Sequence, residues 1–153
     1  MNHRLSMNRI NVICLGVRNV EKSRAFYRNC LGFETPFDEE NPDIVFFNNA
    51  GTRLELYERQ ALAADIDEKN PPALGEGFGG ITLAYNAKSQ HEVNEIFDQV
   101  EGMGGRIAKK PQRVFWGGYS GYFQDPDGYY WEVAYWEGWK FDDNDMLVIE
   151  KLE

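Results

Sequence analysis

The sequence predicts an α+β fold in which a βαβββ module occurs twice within one domain, residues 1–153. The first observation is that a strand, a helix and three strands follow one another twice, as a hydrophobic pattern rather than as repeated letters. The second is a segment near the middle of the chain that is rich in proline and glycine and has the composition of a linker. The third is that each half ends in a hairpin whose glycine is followed four positions later by a glutamate. The first module, the linker, the second module and a C-terminal extension are expected at residues 7–59, 60–79, 80–137 and 138–153.

The composition is that of a globular protein with its own core, since 42% of the residues are hydrophobic. A formal net charge of −9 opposes binding to nucleic acid and to anionic membranes. No apolar run is long enough to span a bilayer, and the amino terminus lacks a signal-peptide core, so we expect a soluble, cytoplasmic protein. Cys14 and Cys30 lie in apolar patterns and are expected to be reduced and buried.

The first module opens with an apolar, β-branched run that ends at a polar pair of residues. Asn19 is a suitable N-cap, and apolar residues then recur at helical spacing until Gly32 supplies a stop. Residues 48–51 have the composition of a hairpin turn between the last two strands. The expected elements are a strand at 10–17, a helix at 20–31 and strands at 33–38, 44–48 and 53–58.

The linker contains a short alanine-rich helical piece at 61–66, and the second module then repeats the order of the first. Ser89 and Glu92 have the spacing of a capping box, and three glycines end the helix that follows. Residues 125–128, Asp-Pro-Asp-Gly, suit a tight turn. In the extension, residues 146–149 are a candidate for an extra edge strand. The other expected strands are 81–86, 106–110, 118–124 and 129–136.

A glutamate occupies the same position in the last strand of each module. Glu55 follows Gly51 by four residues, and Glu132 follows Gly128 by four. Because side chains alternate along a strand, each glutamate lies opposite the apolar residues that pack on its helix. Two modules side by side are therefore expected to bring both glutamates into one groove.

Aromatic residues are expected to line the same groove. If the second hairpin pairs Gln124 with Tyr129, then Tyr119 and Phe123 lie on the Glu132 side. An equivalent register in the first hairpin places Phe46 on the Glu55 side, and Trp116 precedes two glycines in a loop suited to stacking on a flat ligand. The candidate ligand-binding residues are Glu55, Glu132, Phe46, Trp116, Tyr119 and Phe123.

Two stretches resemble the vicinal oxygen chelate superfamily, which includes glyoxalases, ring-cleaving dioxygenases and bleomycin-resistance proteins. They are VRNVEKSRAFY with the following LGF, and GYFQDPDGYYWE, at residues 17–33 and 121–132. The second is the more specific, because Phe-x-Asp-Pro-Asp-Gly is followed by a glutamate four residues after its glycine. The resemblance implies paired modules whose mixed sheets curl into a U-shaped cleft, usually in a homodimer.

In metal-using members of that superfamily, four residues from the first and last strands of the modules hold a divalent ion. Glu55 and Glu132 match the last-strand positions, whereas the first-strand positions, usually histidine, align with Val12 and Gly80, which cannot bind a metal. Two carboxylates without imidazole make a weak site for the transition metals that the superfamily uses. His3 and His91 lie at positions suited to structural or solvated roles. The resemblance therefore implies a member with no metal and no cofactor.

Three functions are compatible with these features. The preferred one is metal-independent binding of a small molecule, aromatic or cationic, in an acidic and aromatic cleft. The alternative is an enzyme of the lactoylglutathione lyase type, a lyase or isomerase in which Glu55 or Glu132 is the proton shuttle. A structural or interaction module is the third.

Overall fold

The computed structural model describes residues 5–151 and confirms the predicted α+β class. The strands are β1 (Val12–Val17), β2 (Ile44–Phe46), β3 (Arg53–Glu58), β4 (Thr82–Asn86), β5 (Arg106–Arg113), β6 (Tyr119–Gln124), β7 (Tyr130–Tyr135), β8 (Lys140–Phe141) and β9 (Leu147–Val148). The helices are α1 (Val20–Ala25), which a π-helical turn (Phe26–Cys30) continues, α2 (Arg59–Ile66) and α3 (Gln90–Gly102).

The first module forms a mixed sheet in the order β1-β3-β2, with β3 parallel to β1 and antiparallel to β2. The helix after β1 begins where predicted, because the Asn19 side chain accepts a hydrogen bond from the backbone N–H of Lys22. The predicted single helix at 20–31 is α1 followed by the π-helical turn. It ends at Gly32, whose φ of +74° is the left-handed conformation that glycine adopts readily.

The predicted strand at 33–38 is wrong, because this segment has no regular structure. It runs beside β2 and is held there by two hydrogen bonds. The backbone N–H of Asn48 donates to the carbonyl of Glu34, and the Thr35 hydroxyl donates to the carbonyl of Phe46. Pro36 has no N–H to donate, which accounts for the failure of a continuous ladder.

The second module forms a four-stranded sheet in the order β4-β7-β6-β5. At the start of α3, the Ser89 hydroxyl accepts from the N–H of Glu92, as predicted. The Glu92 carboxylate in turn accepts from the N–H of Lys88, one residue earlier than in an ordinary capping box. Gly128 has a φ of +88°, which explains why glycine closes the second hairpin.

The two modules pack together through their helix-covered faces and share one hydrophobic core. Tyr27, fully buried on the π-helical turn, lies at the centre of this junction. Its hydroxyl donates to the Asp125 carboxylate at 2.7 Å and accepts from the Trp131 indole N–H at 3.1 Å. Asp127 accepts from the N–H of Arg18 and from the Ser23 hydroxyl across the same junction. The specific Asp-Pro-Asp-Gly hairpin thus fastens the second module to the first helix.

The C-terminal extension forms its own hairpin, β8-β9, so residues 147–148 do not add to the edge of either large sheet. Lys88 pairs with Asp145 and lies over the ring of Phe141. None of the helices within residues 5–151 combines the length and the hydropathy needed to cross a bilayer.

Candidate functional site

Glu55 and Glu132 belong to two different sheets, and each lies on the face opposite its apolar neighbours. Leu54 and Leu56 beside Glu55, and Trp131 and Val133 beside Glu132, all belong to the core that joins the modules. Side-chain alternation therefore turns both glutamates away from that core, on the outer faces of two separate sheets. A common groove for the two glutamates stays a prediction.

The predicted register of the second hairpin is wrong by one residue. Gln124 pairs with Tyr130, and Glu132 lies opposite Tyr122. Because a one-residue slip exchanges the faces of a strand, Tyr119 and Phe123 lie on the side opposite Glu132. Phe123 is buried in the core, where its ring stacks on Trp131 with a 4° angle between the planes.

The physical reason for the slip is the turn itself. Asp125 donates its N–H to the Tyr129 carbonyl, and the N–H groups of Asp127 and Tyr129 both donate to the Asp125 carboxylate. Tyr129 is thereby held in the turn instead of pairing with Gln124 in the ladder.

The other two aromatic candidates have different surroundings. Phe46 lies directly opposite Glu55 and therefore on the same face, as predicted, with 38% of its surface exposed. Trp116 packs against Trp139 of the extension, with 5.7 Å between ring centroids. Trp116 does not line either of the two cavities found among residues 5–151.

A cavity of about 450 Å³ lies on the Glu55 face of the first sheet, between β1 and α2. Its outer wall is residues 72–79, which we call the strap, and its far wall is the hairpin at 127–130 of the second module. Both modules and the segment that connects them therefore enclose it. Outside the strap, the lining residues are Cys14, Gly16, Arg18, Arg59, Leu62, Ala63, Ile66, Ile81, Asp127, Gly128, Tyr129 and Tyr130.

Gly16 is the residue that allows α2 to lie over β1. A Cβ at this position would be 3.2 Å from the Cβ of Arg59 and 3.3 Å from a methyl carbon of Leu62. The Tyr129 hydroxyl donates to the Gly16 carbonyl at 2.8 Å and joins the hairpin to the same strand. A glycine inside a strand is the sequence signal that would have indicated this close approach.

Cys14 connects the cavity to Glu55. The two residues are partners across the β1-β3 ladder, so the thiol and the carboxylate are neighbours on one face of the sheet. Burial, with the adjacent Glu55 charge, raises the pKa of the Cys14 thiol to about 12. At neutral pH the thiol is therefore protonated and is a poor nucleophile.

The cavity also contains two arginines that the sequence did not single out. Arg18 lies 3.4 Å from the Asp127 carboxylate, and its side chain is 53% exposed. Arg59, the first residue of α2, has no hydrogen-bond or ion-pair partner within residues 5–151. No sequence motif identified them, because their proximity depends on how α2 folds back over β1.

The donor set within the described chain does not fit the four-ligand metal centre that the resemblance associates with metal-using members. Residues 5–151 contain no group of three or more His, Cys, Asp or Glu side chains placed to hold an ion. Val12 lies in β1, two residues before Cys14, which pairs with Glu55. Gly80 precedes β4, and the β4 residue that pairs with Glu132 is Ala84. His3 lies outside the described residues, and His91 forms an exposed pair with Glu95 on α3.

A second cavity, of about 410 Å³, lies at the opposite end of the second module. Tyr119 lines it and donates its hydroxyl to Asn94 of α3. The candidate residue Tyr119 therefore faces a cavity, but not the one on the Glu55 face. The other lining residues are Ser89, Gln90, Arg113, Gly117, Tyr135 and Glu137.

The chain resembles known proteins along most of its length. A glyoxalase-related enzyme from Fulvimarina pelagi is 27% identical, with a TM-score of 0.83 over 95% of this chain and 100% of that one. A lactoylglutathione lyase from Agrobacterium tumefaciens is 26% identical, with a TM-score of 0.67 over 90% of this chain and 100% of that one. The Bacillus subtilis protein named "Uncharacterized protein YraH" is 28% identical over 116 residues, 75% of this chain and 88% of that protein. A sequence profile matches residues 9–133, more than half of the chain, which therefore belongs to the Glyoxalase/Bleomycin resistance protein/Dioxygenase superfamily.

Proposed function

We propose that the protein binds a small molecule without a metal, in the cavity between β1 and α2. The observation that carries this proposal is the cavity itself, whose volume of about 450 Å³ falls in the range of ligand sites. Apolar side chains make up much of its lining, as is usual where a ligand is held largely by burial; they are Leu62, Ile66, Leu74, Phe78 and Ile81.

A binding role agrees with the chemistry of the groups that line the cavity. The Cys14 thiol is protonated at neutral pH. The Asp127 carboxylate, with its side chain 6% exposed, is already bonded to Arg18 and Ser23. Neither group is free to attack a ligand or to take a proton from it. The lining is therefore better suited to holding a molecule than to transforming it.

The test is a thermal-shift and ligand-observed NMR screen of small aromatic and aliphatic molecules, with and without EDTA. Binding is expected to persist in EDTA and to disappear in Ala73→Trp, which fills the cavity from the strap. Ala50→Trp, in the exposed turn before β3 and outside the cavity lining, is the matched control and should bind as the wild type does. Loss of binding on chelation, or equal binding by both tryptophan variants, would contradict the proposal.

The enzyme alternative has one supporting observation besides the similarity to the Agrobacterium lactoylglutathione lyase. Glu55 is the cross-strand partner of Cys14, which lines the cavity, so its carboxylate lies beside that wall. Glu55→Gln separates the two functions. If the protein is an enzyme of this kind, the variant loses turnover and keeps its affinity for the ligand. If the protein only binds the ligand, neither the wild type nor the variant shows turnover.

We also propose that the chain forms a homodimer. Within residues 5–151, β1 and β4 each pair on one side only, which leaves two open sheet edges. Large apolar side chains are exposed along them: Ile10, Val12, Ile81 and Tyr85. Pairing of these edges between two copies would place the Glu55 face of one chain beside the Glu132 face of its partner. Light scattering should give twice the chain mass of 17.7 kDa, and a monomer at micromolar concentration would refute the proposal.

A further inference from the structure

We propose that the molecule held between β1 and α2 is an organic carboxylate, bound through Arg59. This inference rests on the proposed binding function and adds the chemical class of the ligand. The sequence predicts a site lined by two glutamates, which would favour a cation, whereas this proposal assigns an anionic ligand. The cavity in the structure is lined by two arginines, and neither Glu55 nor Glu132 is among its lining residues.

Arg59 is the charged group available to a ligand. Its backbone and Cβ lie against Gly16, so the side chain starts at the floor of the cavity and lines its wall. It is half-buried and has no partner within residues 5–151, although a guanidinium carries five N–H donors. A half-buried guanidinium without a partner is most stable when an oxyanion meets its donors, and a carboxylate matches its planar fork with two parallel hydrogen bonds.

Of the four charged side chains that line the cavity, Arg59 is the half-buried one without a partner among residues 5–151. Arg18 and Asp127 pair with each other, and the Asp127 carboxylate takes two further hydrogen bonds, from the Arg18 backbone and from Ser23. Glu76 lies on the strap and is exposed to solvent, where screening weakens the effect of its charge.

The size of the charge and the apolar lining define the ligand further. One uncommitted guanidinium matches one negative charge, so a monocarboxylate fits better than a phosphate dianion, which would need a second free cation. The lining also includes Ile66, Leu74 and Ile81, which provide apolar surface for a hydrocarbon or aromatic body. The expected ligand is therefore a small amphipathic acid.

The experiment compares three probes that share one body: 4-phenylbutyrate, 4-phenylbutanamide and 4-phenylbutylamine. Affinities are measured by titration calorimetry or NMR on the wild type, Arg59→Gln and the control Arg113→Gln, which lies outside this cavity. The carboxylate should bind about tenfold or more tightly than the amide, with the amine weakest. Arg59→Gln should abolish the preference for the carboxylate and leave the affinity for the amide unchanged.

Each other outcome has a defined meaning. Equal affinities for all three probes, tighter binding of the amine, or a carboxylate preference that survives in Arg59→Gln would overturn this inference and leave the proposed binding function intact. Loss of the preference in Arg113→Gln would also overturn it, since that arginine lines the second cavity. Binding of the three probes that is absent, or insensitive to Ala73→Trp, would count against the proposed function itself. Matching melting temperatures for the variants show that each remains folded.

Discussion

The junction between the modules and the cavity beneath α2 differ in how their polar groups are satisfied. At the junction, Tyr27, Asp125 and Trp131 form a buried chain of hydrogen bonds. In the cavity, Arg59 has no partner within the described residues, and the strap lies in irregular structure. A region in which every polar group is paired serves the fold, whereas unpaired donors beside an apolar wall are suited to a ligand. Substitutions in the first region should therefore reduce stability, and those in the second should mainly change binding.

The largest loss of stability is expected for Phe97→Ala in α3. Phe97 is 4% exposed, and its ring lies 6.0 Å from that of Phe123. Its tip fills the space beside Gly121, where a Cβ would be only 2.8 Å away. Removing the ring leaves a cavity, so the free energy of unfolding should fall by about 3–5 kcal/mol, measured by urea denaturation. A fall below about 1 kcal/mol would mean that α3 does not anchor the shared core.

A smaller loss is expected when Tyr27 becomes phenylalanine. The change removes one hydroxyl and leaves both the Asp125 carboxylate and the Trp131 indole N–H short of a partner. The free energy of unfolding should fall by about 1–3 kcal/mol. Tyr130→Phe removes the same atom at the cavity, where no protein partner of its hydroxyl is found among residues 5–151, and should change stability by less than about 0.5 kcal/mol. Equal effects of the two substitutions would remove the distinction between junction and cavity.

The pH dependence of stability offers a sharper test of the junction. Burial raises the pKa of Asp125 above its usual 3.8, although Tyr27 and two backbone N–H groups favour the charged form. The folded protein then binds this proton more tightly than the unfolded chain does. The contribution of Asp125 to stability is present below pH 3.8 and is lost as the pH rises through the raised pKa.

This contribution is measured as the difference in unfolding free energy between the wild type and Asp125→Asn at each pH. The variant cannot titrate at this position, so subtraction removes the contribution of the other carboxylates. The wild type should lose stability relative to the variant as the pH increases above 3.8. A difference that is constant, or that changes in the opposite direction, would show that burial does not dominate at Asp125.

The sequence was sufficient to predict the elements that have a clear period or cap. Strand β3 was predicted with the bounds it has, and α3 begins after Ser89 as the capping pattern indicated. These features depend on neighbouring residues, so alternation and capping chemistry are visible in the letters. The resemblance carried by the Asp-Pro-Asp-Gly hairpin was also confirmed by the superfamily match.

The arrangement of the candidate site could not be predicted in the same way. Whether Glu55 and Glu132 meet depends on which faces of the modules pack together, and alternation within a strand does not determine that. The register of the second hairpin depends on hydrogen bonds from Asp127 and Tyr129 to the Asp125 carboxylate, which retain one more residue in the turn. Arg59 reaches the cavity because α2 folds over Gly16, a contact between elements that no local pattern specifies.

The smallest effect on stability is expected for Phe78→Ala in the strap. Phe78 is 65% exposed, and its aromatic contact is with Tyr130, 5.7 Å between ring centroids. Gly77, with a φ of +84°, precedes it and Gly79 follows it, so the backbone around it is not held by neighbouring side chains. The free energy of unfolding should change by less than about 1 kcal/mol, while the affinity for a cavity ligand should fall, because one apolar wall is shortened. If Phe78→Ala destabilised the protein as much as Phe97→Ala does, the strap would be part of the core, and its wall could not be adjusted to a ligand without loss of the fold.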